Sequence, residues 1–213
     1  MPDQPIPDTL SGAPEFVSRG GLKLHHAILE LNIPIEGRLC ADLGCSTGGF
    51  TDCLLHHGAR HVHSVDTAYG EFAWKLRTDE RVTIHERTNA IHAEVPAEVI
   101  KAGGIDLVVI DLGWTRQSKA LPAAMKWLKP NGQIVSLVKP HYEAEQSELG
   151  EQGVLEPELA ERIAERVRAE IPGLGLRELG WTKSPVIGGA VGKRKKRKGK
   201  GNPEWLVWLE NKV

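Results

Sequence analysis

Apolar residues recur along this chain with the periods of helices and strands. Leu24, Ala27, Ile28 and Leu31 follow the i, i+3, i+4, i+7 spacing that buries one helix face, and they predict a helix near residues 18–31. The same reasoning, together with glycine and proline stop signals, predicts further helices near 49–57, 71–77, 95–102, 116–128 and 156–171.

Strand-like segments alternate with those helices over most of the chain. They lie near residues 38–43, 61–66, 81–85, 105–110, 132–138, 175–182 and 204–210. The fourth, from Ile105 to Ile110, is apolar almost without a break, as a strand covered on both faces should be. This order favours an α/β fold in which helices cover both faces of a mostly parallel sheet. Groups that carry chemistry are then expected at the carboxyl ends of the strands.

The connection between the first strand and the helix after it is rich in glycine. Residues 42–51 read Asp-Leu-Gly-Cys-Ser-Thr-Gly-Gly-Phe-Thr, and we refer to residues 44–49 as the glycine turn. Glycine has no side chain to keep a ligand from the backbone, and the start of the next helix presents unpaired N–H groups. The spacing matches neither the dinucleotide motif Gly-x-Gly-x-x-Gly nor the phosphate-binding P-loop.

A carboxylate one βα unit later strengthens the case for a ligand at this turn. Asp66 ends the next apolar stretch, where an acidic side chain can bind the ribose hydroxyls of a nucleoside. The alternative is a tight connection that binds nothing. We predict that the glycine turn and Asp66 bind a cofactor containing a nucleoside.

Length and composition are those of an ordinary globular protein with one domain. The polar N-terminus lacks the pattern of a secretory leader, so residues 1–15 are expected to be a disordered tail ahead of a domain at 16–213. No stretch approaches the apolar length of a membrane span. Cys40, Cys45 and Cys53 are clustered and odd in number, which indicates reduced thiols and a cytoplasmic location.

One cysteine of this cluster also raises the question of a metal site. Cys53 and His57 share a face of the predicted helix at i, i+4 spacing. No second ligand pair with the spacing of a zinc site appears in the sequence. A buried thiol beside surface histidines explains the pattern more simply, so the sequence predicts no metal.

Charge is distributed unevenly along the chain. The net charge is −1, yet seven lysines and arginines lie within residues 193–200, which leaves −8 for the remainder. This basic segment contains Lys193, Arg194, Lys195, Lys196, Arg197, Lys198 and Lys200. Such a run is typical of a solvated loop, of a nucleic-acid contact or of a nuclear-localisation signal.

Four charged residues occupy positions that the predicted topology exposes to one cleft. Asp111 and Lys139 follow the fourth and fifth strands, Glu204 opens the last strand, and Lys23 lies on the first helix. Each also has a simpler explanation as a helix cap or a surface residue. Together they are equally consistent with an ordinary network of ion pairs.

Five blocks of sequence, taken together, resemble the FtsJ-like RNA 2′-O-methyltransferases, and most closely their TlyA, or hemolysin A, group. The blocks are Ser-Arg-Gly-Gly-Leu-Lys-Leu at 18–24, the stretch 42–52, Val-Ile-Asp-Leu at 109–112, Leu-Val-Lys-Pro at 137–140 and Pro-Glu-Trp at 203–205. They occur in order from about residue 16 to the C-terminus, and this makes the match far more specific than the glycine turn alone.

The resemblance implies a Rossmann-like α/β sandwich whose mostly parallel, seven-stranded sheet ends in an antiparallel strand. It also implies S-adenosylmethionine as methyl donor and a catalytic tetrad of Lys23, Asp111, Lys139 and Glu204. Lys139 is the expected base, with its pKa lowered by burial and by the neighbouring Lys23. The expected cofactor contacts are Asp42, Gly44, Ser46, Thr47, Gly48, Gly49, Phe50, Asp66, Glu86, Asn89 and Asp111.

RNA, and ribosomal RNA in particular, is the partner that the resemblance implies. The expected RNA contacts are Arg19, Trp114 and the basic segment, inside a loop at 188–202 before the last strand. The TlyA group usually carries an S4 RNA-binding domain first, whereas about fifteen residues precede the first block here, too few for a domain. We therefore expect the basic segment to take over phosphate contacts.

The loop after Asp111 departs from the group's pattern. It reads Gly-Trp-Thr-Arg at 113–116, where the group more often has Ser-Phe-Ile-Ser. Trp114 either stacks on a base of the RNA or simply packs against the protein. Two other functions stay open at this point: methyl transfer to a protein or a small molecule, and binding of S-adenosylmethionine or RNA without catalysis.

Overall fold

A computed structural model describes residues 12–149, 154–188 and 201–211. Its strands are β1 (Leu39–Leu43), β2 (His61–Val65), β3 (Val82–His85), β4 (Ile105–Ile110), β5 (Leu128–Val138), β6 (Leu176–Lys183) and β7 (Trp205–Asn211). Its helices are α1 (Arg19–Leu31), α2 (Gly49–His56), α3 (Trp74–Arg77), α4 (Ala97–Lys101), α5 (Gln117–Met125), α6 (Pro140–Glu143) and α7 (Pro157–Glu170), and a 3₁₀ turn follows at Ile171–Leu174. The basic segment and the first eleven residues of the expected tail lie outside the described residues.

All seven strands form one sheet in the order β3-β2-β1-β4-β5-β7-β6. The pairs from β3 to β5 are parallel, whereas β7 runs antiparallel to both of its neighbours, β5 and β6. The predicted α/β sandwich with an antiparallel last strand is therefore confirmed. The strand order reverses between β1 and β4, and ligands of open α/β sheets bind at the carboxyl end of such a switch point.

Residues of the central strands pack alternately into two hydrophobic cores, one on each face of the sheet. Leu107 and Val109 of β4 join the core beneath α1 and α2, whereas Val108 and Ile110 join the core beneath α5 and α7. The nearly unbroken apolar sequence of β4 follows from this burial on both sides. None of the helices in the described ranges is long and apolar enough to cross a membrane.

Several element boundaries differ from the sequence prediction. The helix expected at 71–77 is the single turn α3, and α6 was not predicted. The fifth strand begins at Leu128, the last residue of the helix expected at 116–128, rather than near residue 132. Ile105 pairs with Leu128 but Leu107 already pairs with Gln133, so the intervening residues bulge from the ladder. Asn131, at φ +63°, lies in this bulge and interrupts the apolar alternation on which the prediction relied.

Candidate active site

A cleft of about 620 Å³ opens at the carboxyl ends of the central strands. This size is within the range of small-molecule sites. Its lining comes from the turns after β1 to β4, from Lys139 after β5, and from the start of α1. The cleft therefore lies at the switch point of the sheet, where the topology predicts a ligand site.

The glycine turn forms one wall of the cleft through its backbone. Gly44 has φ +92°, and a Cβ there would lie 2.7 Å from the carbonyl oxygen of Asp111. Gly49 begins α2 in close contact with Ser18 and with the backbone of Gly21 on α1. Glycine is thus required at these two positions because neighbouring backbone occupies the space that a side chain would need.

Asp66 shapes this turn from the neighbouring strand end. Its carboxylate accepts the backbone N–H of Ser46 at 2.8 Å and that of Ala68 at 2.8 Å, and the side chain lines the cleft. A carboxylate has about four acceptor positions, so two N–H donors leave it able to accept further hydrogen bonds. Asp66 therefore holds the turn and still faces the cleft.

Asp42 lies beneath the turn rather than in the cleft. It is fully buried and accepts a hydrogen bond at 2.7 Å from the hydroxyl of Thr51, which also lies 2.7 Å from that of Ser64. Its other oxygen, Oδ1, has no hydrogen-bond partner within the described ranges. Burial raises the pKa of Asp42 to about 7, although the hydrogen bond from Thr51 opposes the shift. Asp42 thus supports the turn from below and does not line the ligand cavity.

Four charged side chains meet at the edge of the cleft as two ion pairs, and we call them the charged quartet. Lys139 Nζ lies 2.5 Å from Asp111 Oδ1, and Lys23 Nζ lies 2.5 Å from Glu204 Oε2. Lys139 also donates to the carbonyl oxygen of Leu112 at 3.1 Å. The first pair and Lys23 line the cleft, whereas Glu204 is 3% exposed and lies behind Lys23.

The electrostatics of the quartet differ from the expectation for Lys139. Burial acts to lower the pKa of Lys139, but the charge and hydrogen bond of Asp111, helped by Glu204, outweigh burial and raise it. The expected lowering by Lys23 is therefore wrong in this structure, because Lys23 is itself paired with Glu204. Burial raises the pKa of Glu204, and the ion pair with Lys23 opposes that shift.

Most of the residues expected from sequence to bind the cofactor or catalyse the reaction line this one cleft. They are Lys23, Gly44, Ser46, Thr47, Gly49, Phe50, Asp66, Asn89, Asp111 and Lys139, and the expected RNA contacts Arg19 and Trp114 line it too. The lining does not include Asp42, Gly48, Glu86 or Glu204. Gly48 packs against Phe72 and Leu76 instead, on the far side of the turn.

Glu86 has a different task from the one expected of it. Its carboxylate pairs with Arg77 at 2.6 and 3.0 Å and accepts the backbone N–H of Gly70 at 2.7 Å. Those contacts fix the segment between β2 and α3. Of the two expected cofactor contacts that follow β3, Glu86 and Asn89, only Asn89 lines the cleft.

Ser18, Thr67, Thr88 and Thr115 also line the cleft and were missed by the sequence reasoning. Thr67 and Thr88 come two and three residues after β2 and β3. Polar residues just beyond the carboxyl end of a parallel strand are the signal that could have identified them. Ser18 belongs to the first of the five blocks, from which only Arg19 and Lys23 were predicted as site residues.

Trp114 stands at the mouth of the cleft in a strained conformation. Its backbone has φ +55°, its side chain is 76% exposed, and its ring lies 5.0 Å from that of Tyr142, tilted by 32°. The Tyr142 ring in turn lies 5.5 Å from Lys139 Nζ. Left-handed backbone is costly for a bulky residue, by about 1–3 kcal/mol, and such strain is concentrated at functional sites.

The described ends of the basic loop are held beside Glu204. The N–H of Gly188 donates to the carbonyl oxygen of Asn202 at 3.0 Å, and Gly188 packs so closely against the Glu204 carboxylate that a Cβ there would clash. The seven basic residues expected to contact RNA lie outside the described residues. Their attachment points nevertheless adjoin the charged quartet.

Comparison with known proteins identifies relatives over most of this chain. The family model described as FtsJ-like methyltransferase matches residues 16–196. A Mycobacterium tuberculosis protein named 16S/23S rRNA (cytidine-2′-O)-methyltransferase TlyA is 39% identical over 199 residues, which are 93% of this chain and 69% of the relative. Hemolysin A of Brachyspira hyodysenteriae is 35% identical over 194 residues, which are 91% of this chain and 76% of the relative. A solved structure from Streptococcus thermophilus, whose name carries the word hemolysin, has 37% identity and a TM-score of 0.82 over 93% of this chain and 68% of its own.

Proposed function

This chain belongs to the FtsJ-like methyltransferase family, and from that premise we propose that it methylates the 2′-hydroxyl of a ribose in ribosomal RNA. S-adenosylmethionine is its methyl donor. The observation that carries the proposal is the charged quartet, which stands at the edge of the same cleft that the glycine turn and Asp66 form. A nucleoside site beside two lysine–carboxylate pairs that are largely shielded from solvent is suited to methyl transfer onto a weakly acidic hydroxyl.

The residues present fit the cofactor. Gly44 and Gly49 leave backbone, not side chain, at the wall of the cleft, and Asp66 retains acceptor capacity for ribose hydroxyls. Asn89, four residues after β3 ends at His85, is suited to the edge of the adenine base. When bound, S-adenosylmethionine supplies a methyl group activated by a positively charged sulfur. The task of the protein is to align that group with the acceptor hydroxyl and to remove one proton.

We assign proton removal to Lys139 and its orientation to Asp111. In the described state Lys139 is protonated, because Asp111 raises its pKa. Any positive charge that enters the cleft beside Asp111 repels this ammonium and competes for the carboxylate, so it lowers the pKa of Lys139. The base would thus become available only when the cleft is loaded. Lys23, fixed by Glu204, then faces the cleft as a cation for the ribose or an adjoining phosphate.

RNA binding is assigned to three features around the mouth of the cleft. Trp114 offers an exposed ring on which an unstacked base can lie. Arg19 lines the cleft next to Gly20 and offers a charge for phosphate. The basic segment is tethered beside Glu204 and provides further phosphate contacts. A ribosomal RNA substrate and three free, buried cysteines support a cytoplasmic location for this activity.

Deletion of residues 193–200 tests the role of the basic segment. We expect weaker RNA binding and a flatter dependence of the binding constant on salt, because each neutralised phosphate contributes about one unit to that slope. The measurement is RNA binding at several salt concentrations, with binding of S-adenosylmethionine as the control. An unchanged salt slope would reject this role.

The proposed reaction is tested by incubating the purified chain with methyl-labelled S-adenosylmethionine and ribosomal subunits. We expect label in RNA at one or a few riboses, detected as phosphodiester bonds that resist alkali because the 2′-oxygen can no longer attack phosphorus. Label on a base, on ribosomal protein or on a small molecule would contradict the proposal. Tight binding of cofactor and RNA with no transfer to any ribosomal substrate would indicate a non-catalytic protein.

A further inference from the structure

A compact group of potential metal ligands lies between α1 and α2, away from the reacting groups. Cys53 and His57 come from α2 and its C-terminal end, and His25 comes from α1. One ligand atom from each of the three lies within 4.8 Å of the others. His25 Nδ1 is 2.8 Å from His57 Nε2, so the two rings already point their nitrogens at each other.

The chemistry of this trio matches a particular class of ion. A thiolate and two imidazoles are the ligands that zinc prefers, with Zn–S of about 2.3 Å and Zn–N of about 2.0–2.1 Å. Tetrahedral angles then require the two nitrogens to be about 3.3 Å apart, so the histidine rings would separate by about 0.5 Å. His57 is partly exposed, so its ring has room for that movement.

The surroundings of the trio are those of a shielded site with one opening. Cys53 and His25 are buried, and the rings of Phe16 and His56 lie against the cluster, with the Phe16 and His25 centroids 5.6 Å apart. Cys53 belongs to the apolar core beneath α1 and α2, and Phe16 packs against that core, so solvent access to the trio is limited. His57 remains partly exposed, so it provides both the entry path and room for a water molecule.

We propose that His25, Cys53 and His57 bind one zinc ion, with a water molecule as the fourth ligand. On binding, the Cys53 thiol releases its proton to solvent and forms the Zn–S bond. The ring nitrogen that donates the hydrogen bond between the two histidines loses its proton, and the other nitrogen of the same ring takes one up from solvent, so both rings stay neutral. Two Zn–N bonds, each formed by a nitrogen lone pair, then replace the hydrogen bond. No electron transfer is involved, since zinc has no redox chemistry in this setting.

Such an ion would join the two helices that flank the cleft. Lys23, two residues before His25 on α1, faces the cleft and pairs with Glu204, and α2 begins at Gly49 in the glycine turn. Zinc would therefore fasten the helix that carries one lysine of the quartet to the helix that follows the turn. This binding site stands on the geometry of α1 and α2 alone and does not depend on the proposed reaction.

The sequence pattern could not show this site, because its third ligand comes from another helix. Cys53 and His57 were visible as an i, i+4 pair, but His25 is 32 residues from His57 and joins them only through the packing of α1 on α2. A second cluster, His63, His85 and Glu98, has the same number of ligand groups but no sulfur, and its carboxylate is exposed. It serves as a matched control.

The test uses the full chain, stripped with a chelator and titrated with Zn²⁺ and with Co²⁺ as a spectroscopic substitute. We expect one metal ion per chain and, with Co²⁺, a near-ultraviolet thiolate-to-cobalt charge-transfer band. His57→Asn should weaken binding on the order of 100-fold or more, since even changes beyond the ligands cost 10–100-fold. Cys53→Ser should abolish the band, and His85→Asn should leave affinity and spectrum unchanged.

Three results would overturn the proposal. They are the absence of stoichiometric binding by the wild type, a charge-transfer band that survives in Cys53→Ser, and a metal affinity of His57→Asn equal to that of the wild type. Because His57 is partly exposed, His57→Asn keeps the experiment decisive if Cys53→Ser does not fold.

Discussion

The glycine turn and the charged quartet face the same cleft but are built in opposite ways. The turn is a run of consecutive residues that acts through its backbone. It requires residues without a side chain where other backbone comes close, as at Gly44, which lies against the carbonyl group of Asp111. The quartet acts through side chains from four separate segments, and Lys23 and Glu204 are 181 residues apart. This difference indicates a division of labour in which the turn controls cofactor binding and the quartet controls turnover and the stability of the cleft edge.

Lys139→Ala is the most direct test of whether the quartet controls turnover while the glycine turn controls cofactor binding. We expect turnover to fall about 10³-fold or more, within the range for loss of a general base, because no other described side chain takes its place on Asp111. The affinity for S-adenosylmethionine should change little, because the turn is intact. Rate measurements and calorimetric binding on the same preparation check both, with Lys119→Ala on the exposed face of α5 as the control. Near-normal turnover would remove Lys139 from the mechanism.

The Lys23–Glu204 ion pair of the quartet should contribute to the stability of the fold as well as to activity. Glu204 is 3% exposed, so Glu204→Gln leaves Lys23 buried without its counter-charge, and we expect the free energy of unfolding to fall by about 3 kcal/mol. Adding Lys23→Met to Glu204→Gln removes the unpaired positive charge. The double variant should regain much of the lost stability but not the activity. Chemical denaturation and methyl-transfer assays of both variants provide the test. Full activity in the double variant would show that this pair is only structural.

Gly44→Ala tests the role of the glycine turn in cofactor binding. At φ +92°, and with a Cβ 2.7 Å from the Asp111 carbonyl oxygen, alanine forces the turn to move at a cost of about 2 kcal/mol. We expect S-adenosylmethionine to bind roughly 30-fold more weakly, with a much smaller change in turnover at saturation. Gly173→Ala, in the 3₁₀ turn after α7, is the matched control, since a Cβ there meets nothing within 4 Å and the residue does not line the cleft. Equal effects of both substitutions would contradict the role given to Gly44.

Sequence reasoning reached the turn more securely than the quartet for a physical reason. The turn's strand, glycines and helix are local, so residues 42–51 indicated it directly, and Asp66 followed from the length of one βα unit. The predicted topology placed the four members of the quartet near one cleft but could not distinguish them from an ordinary network of ion pairs, so their role required a family resemblance. Neither the local sequence pattern nor the family resemblance predicted two further properties. The burial of Asp42 beneath the turn and the raised pKa of Lys139 depend on neighbours that only the folded chain defines.

Ionisation of Asp42, beneath the glycine turn, should make the free energy of unfolding depend on pH. This is the smallest effect that we predict. Its pKa of about 7 in the folded state exceeds the ordinary value of 3.8, so the folded state binds this proton more tightly than the unfolded state. Its contribution to stability is therefore fully present below about pH 4 and is lost as the pH rises through 7. Between pH 6 and pH 8 we expect the wild type to lose about 1 kcal/mol through this group.

Asp42→Asn isolates that loss, because asparagine keeps an oxygen to accept the hydrogen bond from Thr51 but does not titrate. We measure the free energies of unfolding of wild type and variant by denaturation at pH 6 and at pH 8. Any excess stability of the wild type at pH 6 should shrink or reverse at pH 8. Ser64→Ala, which alters the same buried network without an ionisable group, should retain the pH dependence of the wild type. If the free energies of unfolding of Asp42→Asn and the wild type change in parallel from pH 6 to pH 8, Asp42 does not titrate in this range and contributes nothing to the pH dependence of stability.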